Sequence, residues 1–284
     1  MADPIFTPDA HIALNAAYPE DHTKLTHRLT GHPLLSIDAL VALASGLPES
    51  SVEYNPGNLP IGIAPEDVPS PRLSIAETIR SIEENGSWMV IKRIEQHPDY
   101  AALLANTLAE IKPLVRQRTG GMLGTEGFIF VSSPGSVTPF HFDPEHNILL
   151  QVRGNKVMTV FPNDDEEIVK PEAHEAFHLG QHHRNQPWRD EFAAKGDAVS
   201  LHPGEAIYVP VKAPHWVKNG AEVSISLSIT WRSEWSYEEA DARGLNHLMR
   251  RAGMRPARPV RYPKGNKAKS FAYRAVRRLG LAGK

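Results

Sequence analysis

The stretch VTPFHFDPEHNILLQVRGNKVMTVFP, residues 137–162, sets short apolar runs around His141, Asp143 and His146. Buried charge is costly unless a partner or an ion compensates it, so the question is what these side chains surround. In a strand, residues two apart face the same way, which puts His141 and Asp143 on one side together. An isolated His-x-Asp triplet is commonly a surface accident, and its neighbourhood has to decide its meaning.

From residue 127 onward, runs rich in Val, Ile, Phe and Thr recur: GFIFVSS, HNILLQV, KVMTVFP, DAVSLHP, AIYVPV and EVSISLSITW. Gly, Pro and Asn punctuate them, the pattern of an antiparallel sandwich or barrel. The reading is a mainly β core over 127–232, a helical and loop region over 1–126 packing on it, and a C-terminal helix with a basic tail over 233–284. Residues 36–48 predict a helix capped by Ser36 and stopped at Gly46–Pro48. Ile75, Ile79 and Ile82 predict a second, with Ser74 as a cap and Gly86 as a stop. Residues 99–117 predict a third, kinked or ended by Pro113. Ser236 and Glu239 have capping-box spacing for a helix running to about Ala252. The first ~35 residues are weakly patterned, and the Pro- and Gly-rich 53–72 reads as loop.

The chain has 284 residues, 41% hydrophobic and 23% charged, and no cysteine. Disulfides and thiolate sites are therefore excluded, and any metal must be held by His, Asp, Glu or backbone oxygen. The N-terminus lacks the pattern of a signal peptide, and no apolar run approaches the roughly 18 residues of a membrane span. The expectation is a cytoplasmic protein with no membrane role. The net charge of −2 hides an asymmetry: residues 250–284 carry 12 Lys or Arg and no acid, leaving 19 basic against 33 acidic side chains elsewhere. That tail invites two readings, contact with nucleic acid or docking on the chain's own acidic body or a second subunit.

The spacing around the triplet is Gly135, five residues, His141, one, Asp143, three, Asn147, six, Gly154; fifty residues later come Gly204, Pro210, Pro214, His215 and Asn219. These two stretches resemble the paired motifs of the cupin superfamily, with Asp143 and Asn147 where His and Glu are usual and Lys212 where a glycine is usual. The resemblance implies a double-stranded β-helix, the jelly-roll cupin core, with flanking helices. Two His and one carboxylate with open positions are the ligand signature of non-heme Fe(II) oxygenases. His215 is the third ligand by family spacing, and His146 is its rival.

Together with PGEAIYVP and HWVKNG…SISLSITW, the opening stretch closely resembles JmjC-type cupins related to the asparaginyl hydroxylase acting on hypoxia-inducible factors. That resemblance implies Fe(II) and 2-oxoglutarate as cofactor and cosubstrate, O2 as oxidant, and side-chain hydroxylation of a protein or peptide. It places Thr138 and Lys156 on the far carboxylate of 2-oxoglutarate, Asn147 in the same pocket and Trp231 near it. The family's Tyr contact has no secure match; Lys92 stands closest. A homodimer through helix 236–252, using Leu245, Leu248 and Met249, is implied as well. The competing readings are a non-catalytic JmjC-like regulator binding nucleic acid or protein through its tail, and a metal cupin without 2-oxoglutarate. The His-rich stretch 174–183 reads as a solvated loop rather than a second metal site. Phe130 and Trp216 are further aromatic candidates for the pocket.

Overall fold

In the run Ser224–Ser233, β11, serine and threonine alternate with large apolar residues, and both faces are buried. A strand can bury both faces only inside a layered structure. Ile225, Leu227, Ile229 and Trp231 enter the main apolar core, whereas Ser228 and Thr230 line a cavity on the other face. The computed structural model describes residues 3–56, 61, 63, 74–181 and 184–280.

Among the described residues eleven strands form two antiparallel sheets. Before β11 come β1 (Thr23–Thr26), β2 (Val52–Pro56), β3 (Ser87–Lys92), β4 (Met122–Ser132), β5 (Val137–His141), β6 (His146–Arg153), β7 (Lys156–Val160), β8 (Asp197–Leu201), β9 (Glu205–Val209) and β10 (His215–Asn219). The larger sheet has the order β1-β9-β6-β11-β4-β3-β2 and the smaller β5-β10-β7-β8. From β4 the chain crosses repeatedly between the two, which is the double-stranded β-helix. A small core includes Leu149, Met158, Ile207 and Val217, and Leu149, Met158 and Val217 also line the cavity.

The outer face of the larger sheet carries the main core, completed by α1 (Pro8–Ala17), α2 (Ile37–Gly46) and α4 (Pro98–Thr119). Ser36 caps α2 as its sequence predicts. Ser74 and Glu77 close a full capping box at α3 (Ile75–Arg80). Pro113 does not end α4; it sits on the solvent side, while Leu108, Ile111 and Val115 hold both halves of the helix on the core.

Three expectations need correction, and of the two readings of the basic tail the structure shows the docked one. Residues 1–126 are more than a helical cover, because β1, β2 and β3 extend the larger sheet at both edges. The last barrel-flanking helix, α6 (Glu234–Arg251), starts before Ser236: Ser233 is the N-cap and makes its reciprocal bonds with Ser236, so Glu239 is free for another role. The His-rich stretch is not a solvated loop, since α5 (Pro171–His178) buries His174 against Phe142; His182 and His183 lie outside the described residues. The basic tail folds back and ends in α7 (Lys267–Arg278) against α6. Arg261 pairs with Glu20 and Asp164, Arg274 with Asp241 and Arg250 with Glu175, so it docks on the chain's own acidic body. Leu245, Leu248 and Met249 are half-buried within the single chain.

Gly154 shows how tight the sheet packing is. Its φ is +65°, and a Cβ there would meet the Val223 carbonyl oxygen at 2.4 Å. The left-handed conformation alone costs an alanine about 1–2 kcal/mol, and backbone cannot move aside as a side chain can. Gly154→Ala is expected to lower the melting temperature by more than about 3 °C in a thermal unfolding scan. An unchanged Tm would contradict the packing described.

Candidate metal centre

Antiparallel pairing of β5 and β10 sets His215 directly opposite His141, so two residues 74 positions apart in the chain become neighbours. Asp143 lies just past the end of β5. Its Oδ2 is 3.7 Å from Nε2 of His141 and 3.8 Å from Nε2 of His215, and one ligand atom from each of the three residues lies within 4.8 Å of the others. Among the described residues this is the one such cluster.

The protonation of the two rings follows from their other nitrogens. His141 Nδ1 is 2.6 Å from the Pro139 carbonyl and His215 Nδ1 is 2.9 Å from that of Ala213. A carbonyl can only accept, so both Nδ1 atoms carry the hydrogen, and both Nε2 lone pairs face the carboxylate. Burial, with His215 alongside, pushes His141 down to about 3, so it cannot neutralise the cluster by charging near neutral pH. Burial works to raise the Asp143 carboxyl, but His141, Arg184 and His215 outweigh it and hold it below the usual range. With both rings neutral, three electron-rich atoms converge on one point. A divalent cation is the group that fits this donor set.

The cavity beside the triad measures about 120 Å³. Thr138, Asn147 and Lys156 line it together with His141, Asp143 and His215. The ladder between β7 and β10 sets Lys156 opposite Asn219 and Val160 opposite His215. Lys156 thus lies four residues along the strand from the metal ligand, about 13 Å at the ordinary strand rise, a span that a lysine side chain and a bound ligand share between them. Its ammonium is buried and has no acidic or hydrogen-bonding partner among the described residues; desolvation alone pulls it down to about 7. An unpaired buried cation fits an anionic ligand in this cavity. Asn147 is oriented by Ser228, whose hydroxyl donates to Asn147 Oδ1 at 3.0 Å.

Trp231 is not in this cavity. It sits on the Ile225–Leu227–Ile229 face of β11, stacked with Tyr18, Tyr208 and His146 in the main core. Strand alternation sends Thr230 inward instead. His146, the rival third ligand, is equally remote: Tyr208 and Ser233 bond its two ring nitrogens. Lys92 does line the cavity, but its ammonium pairs with Glu53 at 3.1 Å. Phe130 lines it, whereas Trp216 packs with the phenylalanines outside the smaller sheet.

Several lining residues escaped the sequence reading. Trp88 and Val90 share the inward face of β3 with Lys92, and the period-two pattern of SWMVIK was the available signal. Glu145, two residues past Asp143, is lifted to about 7 by burial and by the neighbouring Asp143 charge. Arg184 comes from the long β7–β8 connection, where an isolated bridge between Asn185 and His141 fixes it beside β5. Its Nη1 is 3.3 Å from Asp143 Oδ1, so one carboxylate oxygen is held by arginine while the other faces the imidazoles.

Lys212, at the position where cupins usually have glycine, adopts a glycine-like φ of 62°. Its backbone N–H donates to the Asp143 carbonyl at 2.8 Å, and its ammonium pairs with buried Glu239 of α6, which also accepts from Arg243. This buried charge cluster ties the segment carrying the metal-ligand aspartate to the C-terminal helix. It is also the role left open for Glu239 by the shifted cap.

Fold and site together define a cupin-like domain. The cupin-like domain family model matches residues 75–237, more than half of the chain, and the chain belongs to that family. It is similar to the Jumonji C domain-containing protein 5 of Drosophila melanogaster, 32% identical over 108 residues, covering 34% of this chain and 25% of that protein. It is also similar to the lysine-specific demethylase JMJ30 of Arabidopsis thaliana, 31% identical over 105 residues, covering 35% and 24% of the two chains. The chain thus spans about a quarter of the length of the curated relatives it matches. The ribosomal oxygenase YcfD of Escherichia coli, solved with cobalt and 2-oxoglutarate, shares the fold with a TM-score of 0.52 at 16% identity, covering 99% of this chain and 68% of that one. Among the described residues no helix is long and apolar enough to cross a membrane.

Proposed function

We propose that the chain is an Fe(II)- and 2-oxoglutarate-dependent oxygenase that hydroxylates a side chain of a protein or peptide. The observation that carries this reading is the buried, unpartnered Lys156 ammonium in the same cavity as the His141/Asp143/His215 triad. A metal cupin without a dicarboxylate ligand has no use for a desolvated cation there, and an isolated buried charge is costly to keep. The similarity to Jumonji C proteins and to a structure solved with cobalt and 2-oxoglutarate supports the same choice.

In this reading His141, Asp143 and His215 hold the iron. Lys156 and Thr138 receive the far carboxylate of 2-oxoglutarate, and Asn147 stands beside them. Bound together with O2, the metal and 2-oxoglutarate supply the oxidising power to insert oxygen into a C–H bond. The protein's own part is positioning. The carbonyls of Pro139 and Ala213 fix the imidazole tautomers, the sheets exclude water around Lys156, and Trp88, Phe128, Glu145 and Arg184 on the cavity wall receive the substrate side chain. Calorimetric titration of 2-oxoglutarate into protein loaded with Mn(II) tests the assignment. Saturable binding at micromolar concentrations is expected, and no heat at millimolar 2-oxoglutarate would refute it.

Arg184 gives a second test with a definite sign. If it acted only as a positive charge beside the metal, removing it would strengthen binding of a cation. If its hydrogen bond to Oδ1 keeps Asp143 ligating through Oδ2 alone, removal weakens it. Supporting hydrogen bonds to metal ligands are worth about 10–100-fold in affinity, whereas a charge whose side chain is 46% exposed is strongly screened. Arg184→Met is therefore expected to weaken Mn(II) binding about tenfold and to alter the d–d absorption of the Co(II) form. Stronger binding would show that the charge, not the bond, dominates.

A homodimer through α6 belongs to the same proposal, with the half-buried Leu245, Leu248 and Met249 at its centre. Light scattering at micromolar concentration is expected to give twice the chain mass, and the mass of one chain would remove the dimer.

A further inference from the structure

The acidic body of the protein neutralises only part of its basic C-terminal segment. Arg250, Arg261 and Arg274 are held by acids of the body. Arg251, Arg255, Arg258, Lys264, Lys267, Arg277 and Arg278 are all exposed and have no acidic partner among the described residues. This is a folded surface rather than a loose tail, because Ser270 and Tyr273 anchor α7 by burial, and Ser270 and Arg274 both bond Asp241 of α6. At 100° per residue, Lys267, Phe271 and Arg278 fall within an arc of about 40° on the helix, beside Arg274, which Asp241 holds. Phe271 lies along that stripe between Lys267 and Arg278, 77% exposed.

We propose that this face, centred on α7, binds single-stranded nucleic acid, with the arginines and lysines on successive phosphates and Phe271 stacking against a base. This goes beyond the oxygenase reading and stands independently of it. Charge complementarity selects a polyanion: the segment carries no acid, while residues 1–249 are strongly acidic, so binding is confined to one side of the molecule. The exposed aromatic among cations is the combination that single-stranded binders use, since every base has a face to stack. A second copy of the chain fits less well, because a two-fold contact would press identical cations together. A lipid surface would need a broad apolar helix face to insert, and the face opposite the stripe is already turned against α6.

The test is fluorescence anisotropy of labelled 20-nucleotide RNA and DNA of mixed sequence with the full chain, across a salt series. Binding is expected to weaken roughly a hundredfold between 50 and 200 mM NaCl, since each neutralised phosphate of a single strand adds about 0.7 to the log–log slope. The triple variant Lys267→Glu/Arg277→Glu/Arg278→Glu is expected to lose more than tenfold at 100 mM salt with unchanged thermal stability. Phe271→Ala is expected to lose about tenfold at every salt concentration while keeping the slope, which a purely electrostatic contact would not do. The RNA and DNA arms decide between the two sources of the same chemistry. No binding at 50 mM salt, or binding indifferent to the charge reversals, would overturn the proposal. So would equal competition by inorganic polyphosphate with no effect of Phe271→Ala, or capture by anionic phospholipid vesicles without capture of either oligonucleotide.

Discussion

Asp143→Ala is expected to abolish tight metal binding while leaving the fold in place. The triad offers two neutral imidazoles and one charge, so the substitution removes the only ligand that compensates the ion's own charge. Two imidazole donors remain, and a loss of at least about a hundredfold in affinity, roughly 2.7 kcal/mol, follows from removing both a donor and the charge. Asp143→Asn isolates the second contribution, because it keeps shape and one oxygen donor but no charge, and is expected to fall between. The fold should tolerate either change. Arg184, left without its carboxylate, is half exposed and can turn to water, and the Asp143 backbone stays tied to Lys212. Metal analysis after exhaustive dialysis measures the effect, and full occupancy of Asp143→Ala would remove the triad from consideration.

The site was legible where chemistry and strand period coincide. His141 and Asp143 are two apart on a strand, which period two shows by itself; His215 was singled out over His146 only by the spacing of the cupin motifs the chain resembles. Lys156 stood out because a cation starts an otherwise apolar strand. Trp231 shows where borrowed position misleads: the same SISLSITW alternation that makes β11 a doubly buried strand also assigns Trp231 to the isoleucine face. Period two was the stronger signal, and it was there to be read. Other features depend on pairing that no local pattern encodes. β1 is four residues long and joins the sheet only through β9, nearly two hundred positions away. Arg184 reaches Asp143 because one isolated bridge carries a long connection past β5. The charge count left the basic tail open between contact with nucleic acid and docking on the acidic body; Glu20, Glu175 and Asp241 give it ion-pair partners that only the folded body brings together.

Lys156→Ala is expected to weaken 2-oxoglutarate by about ten- to a hundredfold with metal content unchanged. A hydrogen bond to a charged group contributes about 1.5–3 kcal/mol, and here it forms at an ammonium the sheets bury. Lys156→Arg should recover little, since a longer planar head needs more room than an ammonium at the closed end of a 120 Å³ cavity. The pH dependence carries the sharper signature. Without an anion, burial lowers Lys156 to about 7; with a carboxylate against it, the charged form is favoured again. Above pH 7, binding must therefore take up a proton, and affinity is expected to fall towards tenfold per pH unit between about 7.5 and 9.5. Stability moves in a related way. The unfolded chain holds this lysine protonated up to about pH 10.4, whereas the ligand-free fold does not. Folding then releases a proton, and stability declines as pH falls from about 10 to 7 before levelling. Lys156→Met should accordingly raise the melting temperature of the ligand-free protein at pH 7 by several degrees while erasing 2-oxoglutarate binding, because it removes a cation kept in the cavity at a cost to the fold. Scanning calorimetry beside titration reads both. A Lys156→Met protein no more stable than the wild type, with wild-type affinity flat from pH 7 to 9, would show that the ammonium is already compensated and that the cavity holds its ligand by other means.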